Sequence, residues 1–394
     1  MTIAGAGPAG TGSAIQLAMN GARVLLIEEK KFPRAKLCGE FISPECLTHF
    51  KRLGVMDRMK EAGGASLSET VFYSRRGKSL AVPSKWFKSD ANALGLSRRE
   101  MDHQLLERAK TVGVTVLEEA HASLVVPKGE QVCSVHVKTG SISQDYQSLV
   151  TIDATGRTRA LARHLDRRRA KPGKKITRLV AFKAHLENSR VAEGACEIYF
   201  YKRGYGGLSG VEGGVSNLCF IVAAKDVRRY RSDPELVLRE VVMKNSRAAY
   251  TLSNARALSP WLSVSLESFG RQTLVPARGL ITIGDAAAFI DPFTGSGMLM
   301  ALESGEVAAE AITRHLPLLR RGAGFESMAN HYQLEYSRRF QSRLRISGIL
   351  RRAAFVPHLD EAAILFFGHS SRLRRKLARA TRQSTNNEVS VSSS

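Results

Sequence analysis

The first residues suited to chemistry form a glycine-rich turn close to Met1. Residues 5–10 (G-A-G-P-A-G) have the spacing G-x-G-x-x-G, after a short apolar strand and before a helical pattern. Glycines at these positions permit a tight turn, a close approach of a pyrophosphate to the backbone, and close packing of a helix against a strand. The start of the helix adds amide donors and the positive end of a dipole. The pattern predicts a dinucleotide pyrophosphate bound by Gly5, Gly7, Pro8, Ala9 and Gly10.

An acidic residue follows at the distance expected for a ribose contact. The apolar segment Arg23–Glu28 is typical of a buried parallel strand, and Glu28 lies 18 residues after Gly10. A carboxylate at this place binds the two ribose hydroxyls and repels a 2′-phosphate, so the adenosine is predicted to belong to FAD or NAD and not to NADP. The adjacent Glu29 is included in the same candidate site. Because the first strand, Met1–Ala4, is short, we expect a few further residues before Met1 in the complete protein.

Segments farther along the chain distinguish FAD from NAD. Residues 97–100 (S-R-R-E) form an S-x-x-E capping box before a helix, and residues 150–157 (V-T-I-D-A-T-G-R) end a β-rich stretch. Residues 279–285 (G-L-I-T-I-G-D) form a buried strand and turn, and residues 291–298 open another helix. In this order the segments resemble the FAD-binding fold of p-hydroxybenzoate hydroxylase-type monooxygenases, geranylgeranyl reductases and flavin-dependent halogenases. The resemblance covers roughly residues 1–315.

The resemblance implies roles for individual residues around FAD. Arg98 would contact the cofactor near its phosphates. Asp153 and Gly156 would form the middle D-x-x-G element of the family. Asp285, after Gly284, would bond the ribityl chain.

The turn before the last of these helices would run beside the isoalloxazine ring. A glycine-rich turn that opens a helix would direct backbone amides at the N1–C2=O edge of the flavin, which becomes anionic on reduction. The predicted contacts are Pro292, Gly295, Ser296, Gly297 and Met298.

A loop after the ribose-binding strand carries the candidate catalytic residue. Residues 33–39 (P-R-A-K-L-C-G) resemble the P-x-x-K-x-C-G segment of geranylgeranyl reductases, which passes the flavin in that family. Arg34 and Lys36 would offset the pyrophosphate charge. Cys38, followed by Gly39, would act near the ring as a proton donor or polar contact. A small buried thiol is the alternative for Cys38, and no protein general base is identified.

The middle of the sequence predicts an antiparallel substrate sheet. Segments 197–201, 206–211 and 215–222 are β-like, with a hairpin turn at Gly213-Gly214. The candidate pocket walls are Tyr199, Tyr201, Tyr205 and Phe220, although most aromatic residues at strand spacing belong to a core.

Missing motifs narrow the chemistry. The W-x-W-x-I-P motif of flavin-dependent halogenases is absent, which disfavours halogenation. The Y-x-W-x-F-P-type segment of archaeal geranylgeranyl reductases is absent too, so the resemblance does not imply a prenyl-lipid substrate. A second G-x-G-x-x-G is also absent, so NAD(P)H is expected to bind only transiently, as the reductant of the flavin.

The charge balance is strongly basic, with 59 Lys and Arg against 36 Asp and Glu and a formal net charge of +23. Such a charge attracts anions of any kind. A solubilising surface is favoured over specific nucleic-acid binding, because no zinc-finger or RNP-type motif accompanies the charge. Part of the excess lies in residues 157–178, and part lies in the C-terminal third.

The C-terminal third is predicted to be helical. Apolar residues recur every four positions over residues 328–344, which indicates a long amphipathic helix. A later apolar segment precedes the basic residues 372–376. Such helices are most often a cap over the flavin or substrate domain, and a basic amphipathic end could also rest on an anionic membrane as a peripheral contact.

Composition limits the remaining classes. With 43% hydrophobic and 24% charged residues the chain is neither disordered nor collagen-like. Neither a membrane-spanning run nor a secretory signal is recognised. Five cysteines without a C-x-x-C pair are predicted to be free thiols in a reducing cytoplasm, with no metal site.

The sequence therefore predicts an α/β fold with a Rossmann-like FAD-binding domain, an antiparallel substrate domain and C-terminal helices. The predicted ranges are 1–70, 95–170 and 270–315 for the FAD-binding domain, 71–94 and 171–269 for the substrate domain, 316–382 for the helical region, and 383–394 for a disordered tail.

The predicted function is that of an FAD-dependent oxidoreductase acting on a small hydrophobic or aromatic molecule. NAD(P)H would reduce the flavin, which would then either oxygenate the substrate or reduce a C=C bond. The alternative is a non-catalytic or regulatory flavin-binding protein that uses its basic surface on an anionic membrane or nucleic acid.

Overall fold

The computed structural model describes residues 1–87, 91–125, 132, 134–163, 165, 179–266, 269–354 and 359–381. Most of the basic segment 157–178 and the predicted tail 383–394 lie outside the described residues. The helices are α1 Pro8–Met19, α2 Pro44–Leu53, α3 Met56–Glu61, α4 Arg98–Thr111, α5 Ala224–Arg229, α6 Pro234–Glu240, α7 Ser246–Thr251, α8 Gly297–Arg320, α9 Phe325–Ala354, α10 Leu359–Gly368 and α11 Ser371–Ala380.

The strands fall into several sheets. They are β1 Thr2–Ala4, β2 Leu25–Ile27, β3 Phe41–Ile42, β4 Ala65–Leu67, β5 Glu69–Tyr73, β6 Ser79–Pro83, β7 Ala93–Gly95, β8 Thr115–Leu117, β9 Ala120–Val125, β10 Ser134–Thr139, β11 Ile142–Gln147, β12 Thr151–Asp153, β13 Leu179–Glu187, β14 Ala195–Tyr201, β15 Gly204–Gly210, β16 Ser216–Ala223, β17 Arg256–Ala257, β18 Leu262–Leu266, β19 Gly270–Arg271, β20 Leu280–Thr282 and β21 Ala288–Phe289.

A parallel sheet of order β20-β12-β1-β2-β8 forms the first half of the fold. The residues of β1, β12 and β20 are all buried, as expected for a parallel sheet covered on both faces. Helix α1 packs between α8 and α4. The α1–α8 contact is close because Gly305 lies against the backbone of Ala9, where a Cβ on Gly305 would meet the Ala9 carbonyl at 2.5 Å. This arrangement confirms the predicted Rossmann-like α/β class.

An antiparallel sheet of order β17-β13-β16-β15-β14-β5-β6 forms the second half, with β18 also paired to β13. Its one parallel pair among the described strands joins β14 to β5. The predicted strands 197–201, 206–211 and 215–222 are observed as β14, β15 and β16. Gly213 and Gly214 lie between β15 and β16 with φ of 69° and 71°, a conformation that favours glycine. One face of this sheet packs on the α5–α7 region, and the other face borders a cavity.

The C-terminal helices complete the fold. Helix α9 buries Met328, Tyr332, Tyr336 and Phe340, the stripe that the four-residue period predicts. It packs along α8, where Arg343 forms an ion pair with Glu303 at 2.5 Å. Among the described residues, the helices lack a stretch long and apolar enough to cross a bilayer.

Candidate functional site

One large cavity lies where the parallel sheet meets the antiparallel sheet. Its volume is about 1070 Å³, slightly above the range of about 300–1,000 Å³ that is usual for a pocket holding one ligand. Residues just after the parallel strands line it, including Gly5 after β1, Glu28 after β2, Ala154 after β12 and Gly284 after β20. The carboxyl ends of parallel strands are the usual ligand-binding edge of such sheets.

The three motif glycines have three different surroundings. Gly5 has φ of 101°, and a Cβ there would lie 2.4 Å from the Ala154 carbonyl oxygen. A Cβ on Gly10 would lie 1.9 Å from the Gly5 oxygen, so Gly10 serves helix–strand packing and does not line the cavity. Gly7 is open, because a Cβ there would meet nothing nearer than the Arg98 guanidinium at 3.8 Å. Gly7 is therefore the glycine that leaves room for a ligand beside a cation.

The carboxylate predicted to bind ribose is buried behind this turn. Glu28 Oε2 accepts a hydrogen bond from the Ala6 amide at 2.8 Å, and Oε1 accepts one from the Lys30 amide at 3.1 Å. Arg34 Nε lies 3.4 Å from the same Oε1 atom. These bonds fix the carboxylate at the cavity wall, where each oxygen retains capacity for a further donor. The neighbouring Glu29 also borders the cavity and is exposed.

Arg98 is fixed at the start of α4 by an acid that the sequence analysis missed. Ser97 caps this helix by accepting from the Glu100 amide at 3.1 Å, as the capping box predicts. Asp102, fully buried one turn later, accepts from Arg98 Nε at 2.8 Å and from Nη2 at 2.7 Å. Burial disfavours the charged guanidinium, but Asp102 outweighs it and raises the pKa of Arg98. Asp102 also accepts from Arg34 Nη1 at 2.9 Å, so one carboxylate orients two cations at the cavity.

Further cations surround the same part of the cavity. Lys36 and Arg157 line it with Arg34 and Arg98. Enclosure by the cavity walls lowers the pKa of Lys36, and the charges of Arg34 and Arg98 lower it further. Mutual repulsion of this kind is relieved by a bound anion, which is the property that a pyrophosphate site requires.

Asp285 faces the cavity without a protein donor among the described residues. Burial raises its pKa, and Arg157, Arg98 and Lys36 offset part of the rise. The preceding Gly284 has φ of 58° and donates its amide to Ser304 Oγ at 2.8 Å, which fixes the turn against α8. A carboxylate placed in this way suits the hydroxyls of a ribityl chain.

Besides Gly10, two residues of the predicted cofactor-binding set do not line the cavity. Both carboxylate oxygens of Asp153 serve their own loop: Oδ1 accepts from Thr155, and Oδ2 accepts from the Ala162 amide at 2.8 Å. Ser296 is buried, with its hydroxyl 2.7 Å from Thr294 Oγ1. For both residues the predicted cofactor contact is corrected to a role in shaping the turn, whereas Gly156 does line the cavity.

The turn before α8 borders the cavity with its backbone. Pro292, Gly295, Gly297 and Met298 line it. Gly295 has φ of 58°, a conformation that favours glycine. The side chain of Ser296 does not cap α8, so the first amides of the helix remain as donors at this end. The arrangement is suited to a planar ring whose edge gains negative charge.

The Cys38 loop is held by a buried charged cluster that sequence reasoning missed. Cys38 and Gly39 line the cavity, and Cys38 Sγ accepts from the Glu40 amide at 3.4 Å. The fully buried Glu40 carboxylate bonds Lys183 Nζ, lies 2.7 Å from His185 Nε2, and accepts from the Arg98 amide at 2.8 Å. Burial works against the charged carboxylate, but His185 and Lys183 together lower the pKa of Glu40. A lysine and a histidine two residues apart on an apolar strand were the available signal.

The predicted aromatic wall is corrected by the structure. Tyr199 and Tyr201 of β14 and Phe220 of β16 are buried in the core on the α5–α7 side of the sheet and do not line the cavity. Successive side chains of a strand point to opposite faces, so Phe200, between the two tyrosines, is the residue that lines it. Of the predicted aromatic residues only Tyr205 borders the cavity.

The actual wall is an aromatic cluster. The ring of Phe293 lies 5.9 Å from Phe72, 5.7 Å from Phe200 and 5.3 Å from Tyr205, measured between centroids. Tyr205 donates to Asp291 Oδ1 at 2.5 Å, and burial, with the Asp291 charge, keeps the pKa of Tyr205 well above its usual value. Because Phe293 belongs to the turn before α8, the aromatic wall continues directly from the predicted flavin-binding turn.

The wall next to this cluster is formed by uncharged side chains, and Arg374 of α11 borders the cavity beyond them. Burial raises the pKa of both Cys196 and Cys219 to about 12, so these cavity-lining thiols are neutral. Aliphatic residues fill the gaps between them, including Ala181, Ile198, Ile221 and Val264. The described residues contain no group of histidine, cysteine and acidic side chains suited to a metal ion.

The residues present fit FAD. The open Gly7, the cations around it, Asp285, which has no protein donor among the described residues, and the amides before α8 all border the same cavity as the apolar wall. Glu28 would hold the ribose, Arg98 and Lys36 would face the phosphates, and Asp285 would hold the ribityl chain.

Comparisons with known proteins agree with this geometry. A family model described as "FAD binding domain" matches residues 1–342. The menaquinone reductase of Mycobacterium tuberculosis is 27% identical over 332 residues, covering 79% of this chain and 76% of the relative. The digeranylgeranylglycerophospholipid reductase of Methanosarcina mazei is 24% identical over 314 residues, covering 78% and 74%.

Among solved structures, the flavin-dependent brominase Bmp2 superposes with a TM-score of 0.79 at 20% identity, covering 96% of this chain and 92% of that one. This likeness shows the shared fold. Because the family model spans most of the sequence, the chain belongs to the FAD binding domain family, a family of FAD-dependent oxidoreductases.

Proposed function

We propose that the protein is an FAD-dependent reductase that uses NAD(P)H to saturate a C=C bond in an apolar substrate. The observation that carries the proposal is the aromatic and aliphatic part of the cavity wall, which includes Phe293 in the turn before α8. FAD, when bound, carries two electrons from NAD(P)H to the substrate. Overall, NAD(P)H and a proton add two hydrogens across the double bond and leave NAD(P)⁺.

The wall favours an apolar substrate because it offers almost no polar contact. Phe72, Phe200 and Ile221 expose only hydrocarbon to the cavity. The Tyr205 hydroxyl already donates to Asp291, and Cys219 is a neutral thiol. A substrate rich in polar groups would lose hydrogen bonds to water without replacement, at about 1–3 kcal/mol for each group. A hydrocarbon chain gains about 0.8 kcal/mol for each buried methylene.

Two of the curated relatives support reduction as the chemistry of this site. The two relatives compared above are named as reductases of menaquinone and of a digeranylgeranylglycerophospholipid. The brominase is similar in fold at 20% identity. The sequence contains only two tryptophans, Trp86 and Trp261, and lacks the W-x-W-x-I-P motif, whose absence disfavours halogenation.

Cys38 is the candidate proton donor. Its thiol lies at the cavity surface, in contact with Arg98 and with the Glu40 amide. The Glu40 cluster fixes the loop, so the thiol keeps one position relative to the cavity. Reduction of a C=C bond needs one proton besides the hydride, and we propose that this proton comes from Cys38 Sγ.

The test is anaerobic turnover with purified, FAD-loaded protein. NADH or NADPH is supplied with menaquinone or with a digeranylgeranylglycerophospholipid in detergent, and the product is analysed by mass spectrometry. We expect a product that has gained two hydrogen atoms without oxygen present. A product formed only in air and carrying an oxygen atom would establish a monooxygenase instead. NAD(P)H consumption that is slow and independent of both substrate and oxygen would favour the non-catalytic flavoprotein.

Cys38→Ser separates the proton-donor role from packing. We expect the variant to keep its FAD content and its reduction by NAD(P)H, and to form product about 10²–10⁴ times more slowly. Cys219→Ser, at another cavity-lining thiol, is the matched control, and its turnover should fall far less than that of Cys38→Ser. A Cys38→Ser enzyme with full turnover would assign this thiol to packing.

A further inference from the structure

Helices α10 and α11, here called the mouth helices, close one side of the cavity. Helix α10 packs against α9 and β6, and α11 packs against β6 and the short turn Ser84–Trp86. Their inner residues line the cavity, including Ile364, Phe367, Leu377 and Ala378. The mouth helices are therefore part of the wall that an apolar substrate would contact.

The basic residues on the two faces of α11 have different contacts. On the inner face, Arg374 donates from Nη1 to the Ala81 carbonyl at 3.0 Å, and its guanidinium lies 5.3 Å from the Trp86 ring centre. The outer face carries four exposed cations, and none of them forms an ion pair with a described acidic residue. These cations are Arg372, Arg375, Lys376 and Arg379. Their three- and four-residue spacing places them on one side of the helix.

Apolar side chains are exposed on α10, the helix that packs against α11. Leu365 and Phe366 of α10 are 47% and 65% exposed. Phe366 also borders the cavity, and its ring packs edge-on against Phe367 with centroids 5.3 Å apart. The cavity therefore has an exposed aromatic rim, and the neighbouring helix α11 carries a face of cations that have no acidic partner among the described residues.

The exposed apolar residues of α10 and the cations of α11 together indicate what kind of partner this surface binds. Exposed Leu and Phe side chains favour a hydrocarbon environment, and the adjacent cations favour a dense layer of negative charge. An anionic lipid bilayer supplies both within a few ångströms of depth. Nucleic acid would satisfy Arg372, Arg375 and Lys376 but not the aliphatic Leu365. A second copy of this chain would bring another formal charge of +23 to the same face, which opposes association.

We propose that the mouth helices dock the protein on the surface of an anionic bilayer, with Leu365 and Phe366 in the interfacial layer and the α11 cations over the headgroups. Docking places the rim of the cavity against the lipid, so an apolar molecule passes from the bilayer into the cavity without crossing water. The passage of substrate rests on the proposed function, whereas the docking does not.

The experiment measures co-sedimentation of the FAD-loaded protein with vesicles, in the absence of NAD(P)H and of any substrate. Vesicles of phosphatidylcholine with phosphatidylglycerol are compared with vesicles of phosphatidylcholine alone. We expect strong binding to the first and weak binding to the second. Arg372→Gln, Arg375→Gln and Lys376→Gln combined should weaken partitioning roughly 100-fold, because each cation near an anionic surface contributes about 1 kcal/mol and 1.4 kcal/mol is about tenfold.

A matched variant tests whether the position of the charge matters. Lys225→Gln, Arg228→Gln and Arg229→Gln combined remove the same charge from exposed positions of α5, away from the mouth helices. We expect this variant to bind anionic vesicles like the unmodified protein. Equal loss of binding in both triple variants would overturn the proposal, because attraction would then follow the net charge and not the α11 face.

Apolar variants distinguish a bilayer from a polyanion. Leu365→Ser and Phe366→Ser should each weaken vesicle binding about tenfold or more, since a buried Leu or Phe side chain contributes about 1.5–3 kcal/mol. FAD content and circular dichroism establish that each variant is folded. Unchanged vesicle binding in both serine variants, or displacement of the vesicles by an equal charge of single-stranded RNA, would overturn bilayer docking. Because no turnover is measured, these results are independent of whether the reductase proposal holds.

Discussion

Replacement of Asp285 separates FAD binding from the stability of the apoprotein. The carboxylate lies at the cavity wall near Arg157, Arg98 and Lys36, and lacks a protein donor among the described residues. A hydrogen bond from a cofactor hydroxyl to a charged acceptor contributes about 1.5–3 kcal/mol. We therefore expect Asp285→Ala to raise the Kd for FAD about 10- to 150-fold.

Removal of the Asp285 charge should have the opposite effect on the stability of the apoprotein. Burial raises the folded-state pKa of Asp285, so at neutral pH the folded chain holds an ionised carboxylate that the unfolded chain accommodates more easily. The penalty is absent below the unfolded pKa, about 3.9, and grows as the pH rises through the raised folded value. Asp285→Asn apoprotein should be more stable than the unmodified apoprotein near neutrality, and the difference should disappear on acidification.

Two titrations check this pair of effects. Binding of FAD to apoprotein is followed by flavin fluorescence, and unfolding of apoprotein by urea is followed at neutral and acidic pH. Asp145→Asn is the control, because Asp145 is exposed on β11 and bonds only His136 among the described residues. An Asp285→Ala protein that binds FAD within twofold of the unmodified protein would refute the placement of the ribityl chain. A stability gain that persists at acidic pH would refute the electrostatic explanation.

Further predictions concern the glycine-rich turn after β1, the Cys38 loop and the aromatic wall of the cavity. Gly7→Ala should weaken FAD binding more than tenfold, yet the free energy of unfolding of the apoprotein should stay within about 0.5 kcal/mol, because the added Cβ meets no protein atom nearer than 3.8 Å. Gly10→Ala should instead destabilise the apoprotein in urea unfolding, because its Cβ would lie 1.9 Å from a carbonyl oxygen. Glu40→Gln leaves Lys183 buried without its carboxylate and should cost about 3–5 kcal/mol in the free energy of unfolding, and Glu40→Leu combined with Lys183→Met should recover part of it. Phe200→Ala should raise the KM for the apolar substrate without changing the Kd for FAD, and an altered FAD affinity would contradict the assignment of this ring to the substrate wall.

The dinucleotide half of the site was predictable because its motifs encode local backbone geometry. A glycine with φ of 101° at Gly5 and an acid at the end of β2 are properties of short segments. Strand order then brings Gly5, Glu28 and Asp285 to the same edge without further information. Asp153 shows where this reasoning stops. Its motif was recognised, but the adjacent loop uses both carboxylate oxygens, and a spacing pattern does not show that competition.

The substrate half of the site was less predictable because tertiary packing decides two of its features: the sheet face that borders the cavity, and the partners of Glu40. Strand alternation shows that Phe200 faces opposite to Tyr199 and Tyr201, but only packing of the α5–α7 region decides which face is the cavity. The Glu40 cluster pairs residues 143 positions apart in sequence. Lys183 and His185 have no local feature that identifies Glu40 as their partner, and the pairing appears only once β13 lies beside the Cys38 loop.

The connection between the two halves explains how one cavity would serve both the cofactor and the proposed apolar substrate. The turn that directs the α8 amides towards the flavin position also carries Phe293 into the aromatic wall, and Asp291 in the same turn accepts from Tyr205 of the antiparallel sheet. On the other side, Glu40 joins the amide of Arg98 to Lys183 of that sheet. The flavin position and the apolar wall are thus held at two points by the same residues. A shift of the apolar wall relative to the turn would break these buried hydrogen bonds, so the wall keeps a fixed position beside the predicted flavin site.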